Sequence, residues 1–455
     1  MRGVIVGPLR HRTCAGTNCA SLWFSWTHEP RHQRPSTASL SCTSAQHAPA
    51  RITRLPSSHT NCRRSQATAA ASPRHTTAGP TSPMMSGGAD GAAGFHVLAF
   101  CRTADDASRV QEVAKEVAAA GASGSAPGGL TLHVDLAAVP PDAVPALDAA
   151  GCSRRLALPA AEGGTRVMGR VLLAAATLGS TQELLRTHGS ALGDGVVAVA
   201  DRQTSGKGRG GNQWTSPLGC LMFSALRRLR VASPTQAPFI NYLVCLAITR
   251  GVRAALKESG LPPLDLRIKW PNDIYVGGVK LAGALIHTTW QGGCFNVITG
   301  IGLNVNNRTP TTCLDELIEK AAAAQQQDRA AADDDGEAAR ESAGAASISR
   351  EAVLTGILAA LEQVYDVFEQ GGFTPLEPEY LATWLHSGQV LDFDDSDPST
   401  FSAGGGGGRM TRLTIRGLSP AGFLLAEDAD GSRYELTPDG NSLDMMKGLI
   451  RRKVQ

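Results

Sequence analysis

From Asp201 to Trp214 the chain reads Asp-Arg-Gln-Thr-Ser-Gly-Lys-Gly-Arg-Gly-Gly-Asn-Gln-Trp, which sets two cations, Lys207 and Arg209, among four glycines, Gly206, Gly208, Gly210 and Gly211. Glycine loses more backbone entropy on ordering than other residues, so this stretch predicts a mobile loop rather than a helix or strand. An anion lying over such a loop could meet both side chains and the exposed backbone N–H groups. The pattern is not a Walker loop, because Gly206-Lys207 is followed by Gly208 and no hydroxyl is supplied for magnesium. The letters Gly206-x-Gly208-x-x-Gly211 match a dinucleotide fingerprint, but Trp214-Thr-Ser-Pro217 opens no amphipathic helix behind them, as that motif requires. In isolation, a flexible loop without a role is the competing reading.

A second cluster weighs against that alternative. Residues 266–270 alternate like a strand, stop at Pro271, and leave Asn272 and Asp273 at the strand exit. Gly277-Gly278 predicts a two-residue hairpin turn with 279–287 as the returning strand, so Lys280 projects beside Asp273. A charged hairpin end would be the simpler account of that piece alone; with the glycine loop it points to an anion site.

Five motifs follow in order: Ser180-Thr181-Gln182, Gln203 through Arg209, Lys269 through Asp273, Lys280 through Gly283, and Gly300-Ile-Gly302-Leu-Asn304. This series resembles the biotin–protein ligases (holocarboxylase synthetases) of plant and algal type, with Gln182 standing where the family has Asn. His386-Ser-Gly-Gln389 and the stretch from Tyr434 to Asp444 extend the resemblance, which covers about residues 165–452. The resemblance implies a mixed α/β ligase core, of the class II aminoacyl-tRNA-synthetase-like kind shared by biotin and lipoate ligases, followed by a small C-terminal SH3-like β-barrel. It implies ATP-dependent conversion of biotin to biotinyl-5′-AMP. Transfer then follows to a lysine of biotin carboxyl-carrier domains of acetyl-CoA carboxylase and related carboxylases. Lys280, Arg209 and Lys207 would be catalytic. Ser180, Thr181, Gln182 and Gln203, together with Lys207, Gly208, Arg209 and Lys280, would hold biotin. Gly206, Gly208, Gly211 and Trp214 would meet the nucleotide with Asn272, Asp273, Gly302 and Asn304. Asp273 is also the candidate ligand for Mg²⁺.

The chemistry asks for these residue types. A carboxylate cannot acylate an amine at neutral pH, because oxide would have to leave, so the acid must first be joined to the α-phosphate of ATP. That brings two anions together. At an effective dielectric near 20, a cation about 4 Å from an anion contributes about 4 kcal/mol before desolvation, so Lys207, Arg209 and Lys280 can offset the repulsion. Hydroxyl and amide groups suit the neutral ureido ring of biotin, which offers donors and an acceptor. Trp214 and Trp270 are candidates for pocket walls, with ordinary core packing as the alternative. The ten cysteines show no zinc spacing, and Cys220, Cys245, Cys294 and Cys313 lie in or beside apolar stretches, which predicts buried, reduced thiols. A lipoate–protein ligase of the same fold and a nonenzymatic adenylate-responsive regulator are the rival readings.

The remaining sequence must position these groups. The 455 residues are 42% apolar and 5% aromatic, with a formal net charge of +2, as in a globular protein diluted by low-complexity segments. Residues 1–88 contain ten Arg, no Lys, Glu29 as the one acid, and six of the eleven His. That is the composition of an organellar transit peptide, for the chloroplast in view of the resemblance, with the mitochondrion as the alternative. Met84 or Met85 could start a cytosolic form. An accessory region at 95–160 predicts a strand at 95–100, a helix at 104–120 and a strand at 130–136, without a legible helix-turn-helix. The ligase core is expected at 166–371, interrupted by an Ala/Gln/Asp-rich insertion at 321–344 that is too polar for a core. Within it, helices are predicted from Ser180 to Thr187 and over 239–257, and strands over 195–200 and 221–226. The tail, 384–453, predicts strands at 410–416, 422–426 and 432–436. No apolar run approaches the ~18 residues needed to span a bilayer, so neither a membrane nor, at this charge, a nucleic acid is an expected partner.

Overall fold

The computed structural model describes residues 94–122, 129–332, 347–394, 410–437, 441–444 and 449–452. The expected transit segment 1–88 and residues 333–344 of the insertion lie outside the described residues. In chain order the elements are β1 (Phe95–Cys101), α1 (Ala104–Ala122), β2 (Leu130–His133), α2 (Ala149–Leu156), β3 (Val171–Leu178), α3 (Thr181–Leu192), β4 (Val197–Gln203) and β5 (Cys220–Arg230). There follow α4 (Ala237–Glu258), β6 (Arg267–Lys269), β7 (Asp273–Val276), β8 (Val279–Gln291), β9 (Cys294–Asn304), α5 (Leu314–Ala332), α6 (Arg350–Gly371) and α7 (Glu377–Thr383). The chain closes with β10 (Val390–Asp394), β11 (Met410–Leu418), β12 (Leu424–Glu427), β13 (Arg433–Leu436), β14 (Asn441–Asp444) and β15 (Leu449–Arg452).

The middle strands are apolar on both faces, and such a strand needs a packed layer on each side. Because side chains alternate, Leu172 and Ala174 of β3 join one core with Val197, Val199, Leu221 and Phe223, packed on α4 and α6. Val171, Leu173 and Ala175 join the other, with Ala198 and Ala200, against Val110 and Val113 of α1 and Leu184 and Leu185 of α3. Between the layers runs one nine-stranded mixed sheet in the order β2-β1-β3-β4-β5-β9-β8-β7-β6. Pairings β1/β2 and β3/β4 are parallel and the others antiparallel.

The strands predicted at 95–100 and 130–136 are found at Phe95–Cys101 and Leu130–His133, at one edge of this sheet. β1 pairs antiparallel with β3, Leu98 opposite Ala174 and Cys101 opposite Val171, and β2 lies outside it, ending at His133. The N-terminal region extends the central sheet. At the other end of the chain β10 to β15 form a second, six-stranded sheet, ordered β13-β12-β11-β10-β15-β14. Among the described residues β13 and β14, at the two ends of this order, do not pair; the C-terminal part is a small β-sheet unit, as expected, and its closure into an SH3-like barrel is not seen in the described residues.

No uninterrupted apolar run approaches 18 residues, but α4, which with the short turn before it runs over Pro234–Glu258, is long and apolar enough on average to cross a bilayer. Its place in the fold explains the composition. Thirteen of its residues are buried, among them Tyr242, Leu243 and Ile248, because α4 lies between the sheet and α6. The two helices cross at glycines: a Cβ on Gly251 would stand 2.4 Å from Ile357 Cα and 2.5 Å from its N. The insertion starts as helix, since α5 runs on to Ala332 with residues 323–328 exposed.

Gly251→Ala should therefore force α4 and α6 apart and destabilise the protein by about 1–3 kcal/mol, the usual cost of overpacking. A urea-denaturation midpoint equal to that of the wild type would overturn this account of the crossing.

Candidate active site

The glycine-rich segment leaves β4 at Gln203 and is folded as a tight turn rather than an open loop. Lys207 bridges Gln213 as an antiparallel pair, Gly208 N–H donates to Asn212 O at 2.7 Å, and Trp214 N–H donates to Gly206 O at 3.0 Å. The tip demands glycine, because Gly210 and Gly211 hold φ of 63° and 82°. This geometry carries Trp214 back over the sheet.

Beneath the turn, three glycines of two motifs fall side by side. Strand register sets Asp273 opposite Gly283, Gly283 opposite Gly302, and Leu285 opposite Gly300. Each missing side chain is replaced by a group from elsewhere. A Cβ on Gly302 would stand 2.4 Å from Trp214 Cε2, one on Gly300 would stand 2.4 Å from Gln182 Oε1, and one on Gly283 would stand 3.2 Å from both Lys280 Nζ and Asp273 Oδ1.

At the Gln182 end the groups are neutral and joined. Ser180 caps α3, accepting from Glu183 N–H, and Thr181 N–H donates to Gln203 Oε1 at 2.8 Å. Thr181 Oγ1 meets Ser224 Oγ at 2.9 Å, and Ser224 Oγ donates to Gln182 Oε1 at 3.0 Å. Gln182 Nε2 donates to the carbonyls of Leu285 and Ile298 at 3.3 and 3.1 Å, which fixes which way its amide faces. Ser224 was not singled out from the sequence; its signal is a lone hydroxyl, fully buried, within the apolar run of β5.

At the other end the groups are charged. The Gly277-Gly278 turn, with φ of 56° and 79°, brings Lys280 Nζ to 2.8 Å from Asp273 Oδ1 and over the ring of Trp214 at 5.8 Å. Arg209 Nη1 donates to Asn272 Oδ1 at 3.1 Å, while Asn272 Nδ2 donates to Ala284 O at 2.6 Å. The strand end carrying these residues is held from behind. His386, fully buried, accepts from Trp270 N–H through Nε2 at 3.0 Å and meets Gln389 Oε1 through Nδ1 at 2.8 Å. Burial, with the charge of Lys269 adding to it, holds its imidazole below the usual histidine range, against the pull of Gln389.

Together these groups line one cavity of about 580 Å³, a size suited to a small-molecule ligand. Of the residues expected at the site, Ser180, Thr181, Gln182, Gln203, Lys207, Gly208 and Arg209 lie on it, as do Trp214, Asn272, Asp273, Lys280, Gly302 and Asn304. Gly206 and Gly211 do not; the first packs on Trp214 and the second shapes the tip of the turn. Lys269 adds a fourth cation to Lys207, Arg209 and Lys280, and Asp273 is the one carboxylate among the lining residues. Such a cavity attracts anions. Among the described residues no cluster of three or more His, Cys, Asp or Glu could hold a metal ion. A divalent ion would fit here only as a companion of bound phosphates, with Asp273 as its protein ligand. Cys220, Cys245 and Cys313 are buried and Cys294 is half-buried, all as free thiols. Burial pushes the Cys220 thiol up to about 12, so it is no nucleophile at neutral pH.

Residues 175–304 match a family model described as the biotin/lipoate A/B protein ligase family. The chain is 38% identical over 290 residues to biotin–protein ligase 1, chloroplastic, of Arabidopsis thaliana, covering 64% of this chain and 71% of that one. It is 36% identical over 290 residues to biotin–protein ligase 2 of the same plant, covering 64% and 79%. The biotin–protein ligase of Homo sapiens is 30% identical over 294 residues, 64% of this chain and 36% of the human one.

Gly302→Ala should push the Trp214 ring off the sheet, with a shift in tryptophan emission and a loss of about 1–3 kcal/mol in stability. Added to Trp214→Ala, the same change should cost little further, because the clash is gone. Additive losses in urea denaturation would show that the indole does not rest on Gly302.

Proposed function

The chain belongs to the biotin–protein ligases of the biotin/lipoate A/B ligase family, and from that premise we propose the roles by which its residues activate biotin and pass it on. In the first half-reaction a carboxylate oxygen of biotin attacks the α-phosphorus of ATP and pyrophosphate leaves. In the second, the ε-amine of a carrier lysine attacks the acyl carbon of biotinyl-5′-AMP, loses a proton, and AMP leaves. The observation that carries the residue roles is the polarity of the cavity, neutral and hydrogen-bonding at one end and bearing four cations against one carboxylate at the other.

The Thr181, Gln182, Gln203 and Ser224 network suits the ureido ring. A dithiolane, as in lipoate, would set an apolar ring against these polar groups, of which Thr181 and Ser224 are buried, and this favours biotin over the lipoate alternative. Lys280, at the charged end, would steady the carboxylate and α-phosphate as they join, while Lys207, Lys269 and Arg209 would hold the remaining phosphate charge. Asn272, Gly302 and Asn304 would face the nucleotide. Mg²⁺, carried in on ATP and met by Asp273, would neutralise phosphate charge and favour pyrophosphate departure. The acceptors are lysines of biotin-dependent carboxylase carriers, and we assign acetyl-CoA carboxylase among them. The Arg-rich, acid-poor composition of residues 1–88 and the relative named chloroplastic support a plastid location.

Biotin-dependent ATP–pyrophosphate exchange tests the reading: exchange with biotin and none with lipoate or octanoate is expected, and the reverse would assign the lipoate reaction. A regulator without catalysis would give no exchange. Lys280→Ala should lower the exchange rate by about 10²–10³ with little change in the KM for ATP, because its charge matters most as the anions join. An unaltered single-turnover rate would remove Lys280 from that step.

Arg209 should also keep the activated acid in place, since its bond to Asn272 ties the glycine-rich turn across the cavity. Arg209→Gly should release biotinyl-5′-AMP and label lysines of unrelated proteins severalfold more than the wild type does. Equal labelling of a bystander such as serum albumin would sink that role.

A further inference from the structure

Trp270, in the middle of the motif that supplies Asn272 and Asp273, is tied to the C-terminal part of the chain directly through His386 and indirectly through Tyr242 of α4. Its main-chain N–H donates to His386 Nε2 at 3.0 Å. Its ring Nε1–H donates to Tyr242 Oη at 2.9 Å, and Tyr242 in turn donates to the carbonyl of Gly422, just before β12, at 2.5 Å. The segment leading to His386 is laid along β6, since Trp384 bridges Ile268 in parallel and Leu385 N–H donates to Ile268 O at 2.9 Å. Trp384 stands edge-on to the imidazole at 5.4 Å and 87°, so ring position is fixed by packing as well as by hydrogen bonds.

We propose that His386 is a positioning residue for adenylate formation: by accepting from Trp270 N–H it sets the turn through Asn272 and Asp273 at the height where those side chains meet Arg209 and Lys280. The proposal rests on the ligase reading and adds a residue that touches neither substrate. Only one neutral tautomer serves. Nδ1 carries the proton and gives it to Gln389 Oε1, which leaves the Nε2 lone pair for Trp270. The reach from the turn to the reacting groups is short: Asp273 holds Lys280 at 2.8 Å and Asn272 holds Arg209 at 3.1 Å, so displacement of the strand end moves two cations together. A misplacement near 1 Å can cost about a hundredfold in rate.

The experiment compares His386→Gln, whose amide oxygen can replace Nε2 as acceptor, with His386→Phe, which fills the space and accepts nothing. Biotin-dependent ATP–pyrophosphate exchange is measured on the full chain, with thermal melting alongside. His386→Phe should lower kcat at least tenfold with the KM for biotin within twofold, and His386→Gln should recover most of the rate. Equal impairment of the two would assign His386 to packing alone, and a normal rate in His386→Phe would remove it from the site. Should His386→Phe not fold, Gln389→Leu decides the matter. It frees the tautomer while keeping the imidazole, and should lower kcat severalfold at unchanged KM; an unchanged kcat overturns the proposal. Absence of exchange in the wild type would instead defeat the ligase reading itself.

Discussion

Three positions without a side chain, Gly283, Gly300 and Gly302 on β8 and β9, are the constraint around which the site is assembled. A strand glycine costs about 0.5–1 kcal/mol relative to alanine, so the patch weakens the sheet by roughly 2 kcal/mol before anything lies on it. It sits where the sheet withstands this best, between strands of eleven and thirteen residues that pair along nearly their whole length. Four of the site's side chains then rest on the bare patch. Gln182 lies over Gly300, Trp214 over Gly302, and Lys280 with Asp273 over Gly283. The antiparallel register lines up glycines that are distant in sequence, so the chemistry is built on a smooth floor and not in a cleft between domains.

Gathering four cations at one cavity opposes folding, and the groups around three of them moderate the cost. Lys280 leans on Asp273 and on the face of Trp214, Lys269 lies 5.6 Å from the Tyr275 ring centroid, and Arg209 bonds a neutral amide. Asp273 offsets one of the four charges, and among the residues lining the cavity no second carboxylate offsets the others. The positive potential is therefore kept for the phosphates and the carboxylate, as expected of a site where local stability yields to function.

Contacts that close within a turn were legible from the residues. The Gly277-Gly278 hairpin puts Lys280 beside Asp273 because both ends of that contact belong to one local element; the start of α3 is legible likewise, with Ser180 or Thr181 as the candidate cap and Ser180 filling the place. What escaped is what register and burial decide. The strand at 95–101 reads as a strand, but nothing local says that it pairs with β3. Ser224 is one hydroxyl in an apolar strand until Gln182 is seen against it. His386 is separated from Trp270 by 116 positions, so its letter in a motif carries no hint of the N–H it accepts. α4 looked unremarkable beside a bilayer-spanning segment because its two arginines interrupt the apolar letters, although its buried faces make it the most apolar helix here. Gly206 and Gly211 belong to a glycine cluster whose members look alike in sequence, yet only the folded turn tells which of them face the cavity.

The pairing of β1 with β3 covers an edge that the motif-bearing part of the sheet would otherwise leave open. Without residues 95–133, the apolar strand Val171–Leu178 would become the rim of the sheet, with a row of N–H and C=O groups open to any other chain. β2 is a poorer template for such stacking: it is four residues long, and its His133 faces His96 at 3.0 Å. An enzyme trimmed to its motif-bearing core would keep each group that touches substrate, but it would have a self-adhesive border. The first described strands are thus a guard rail in the geometric sense: they close a long apolar edge with a short one.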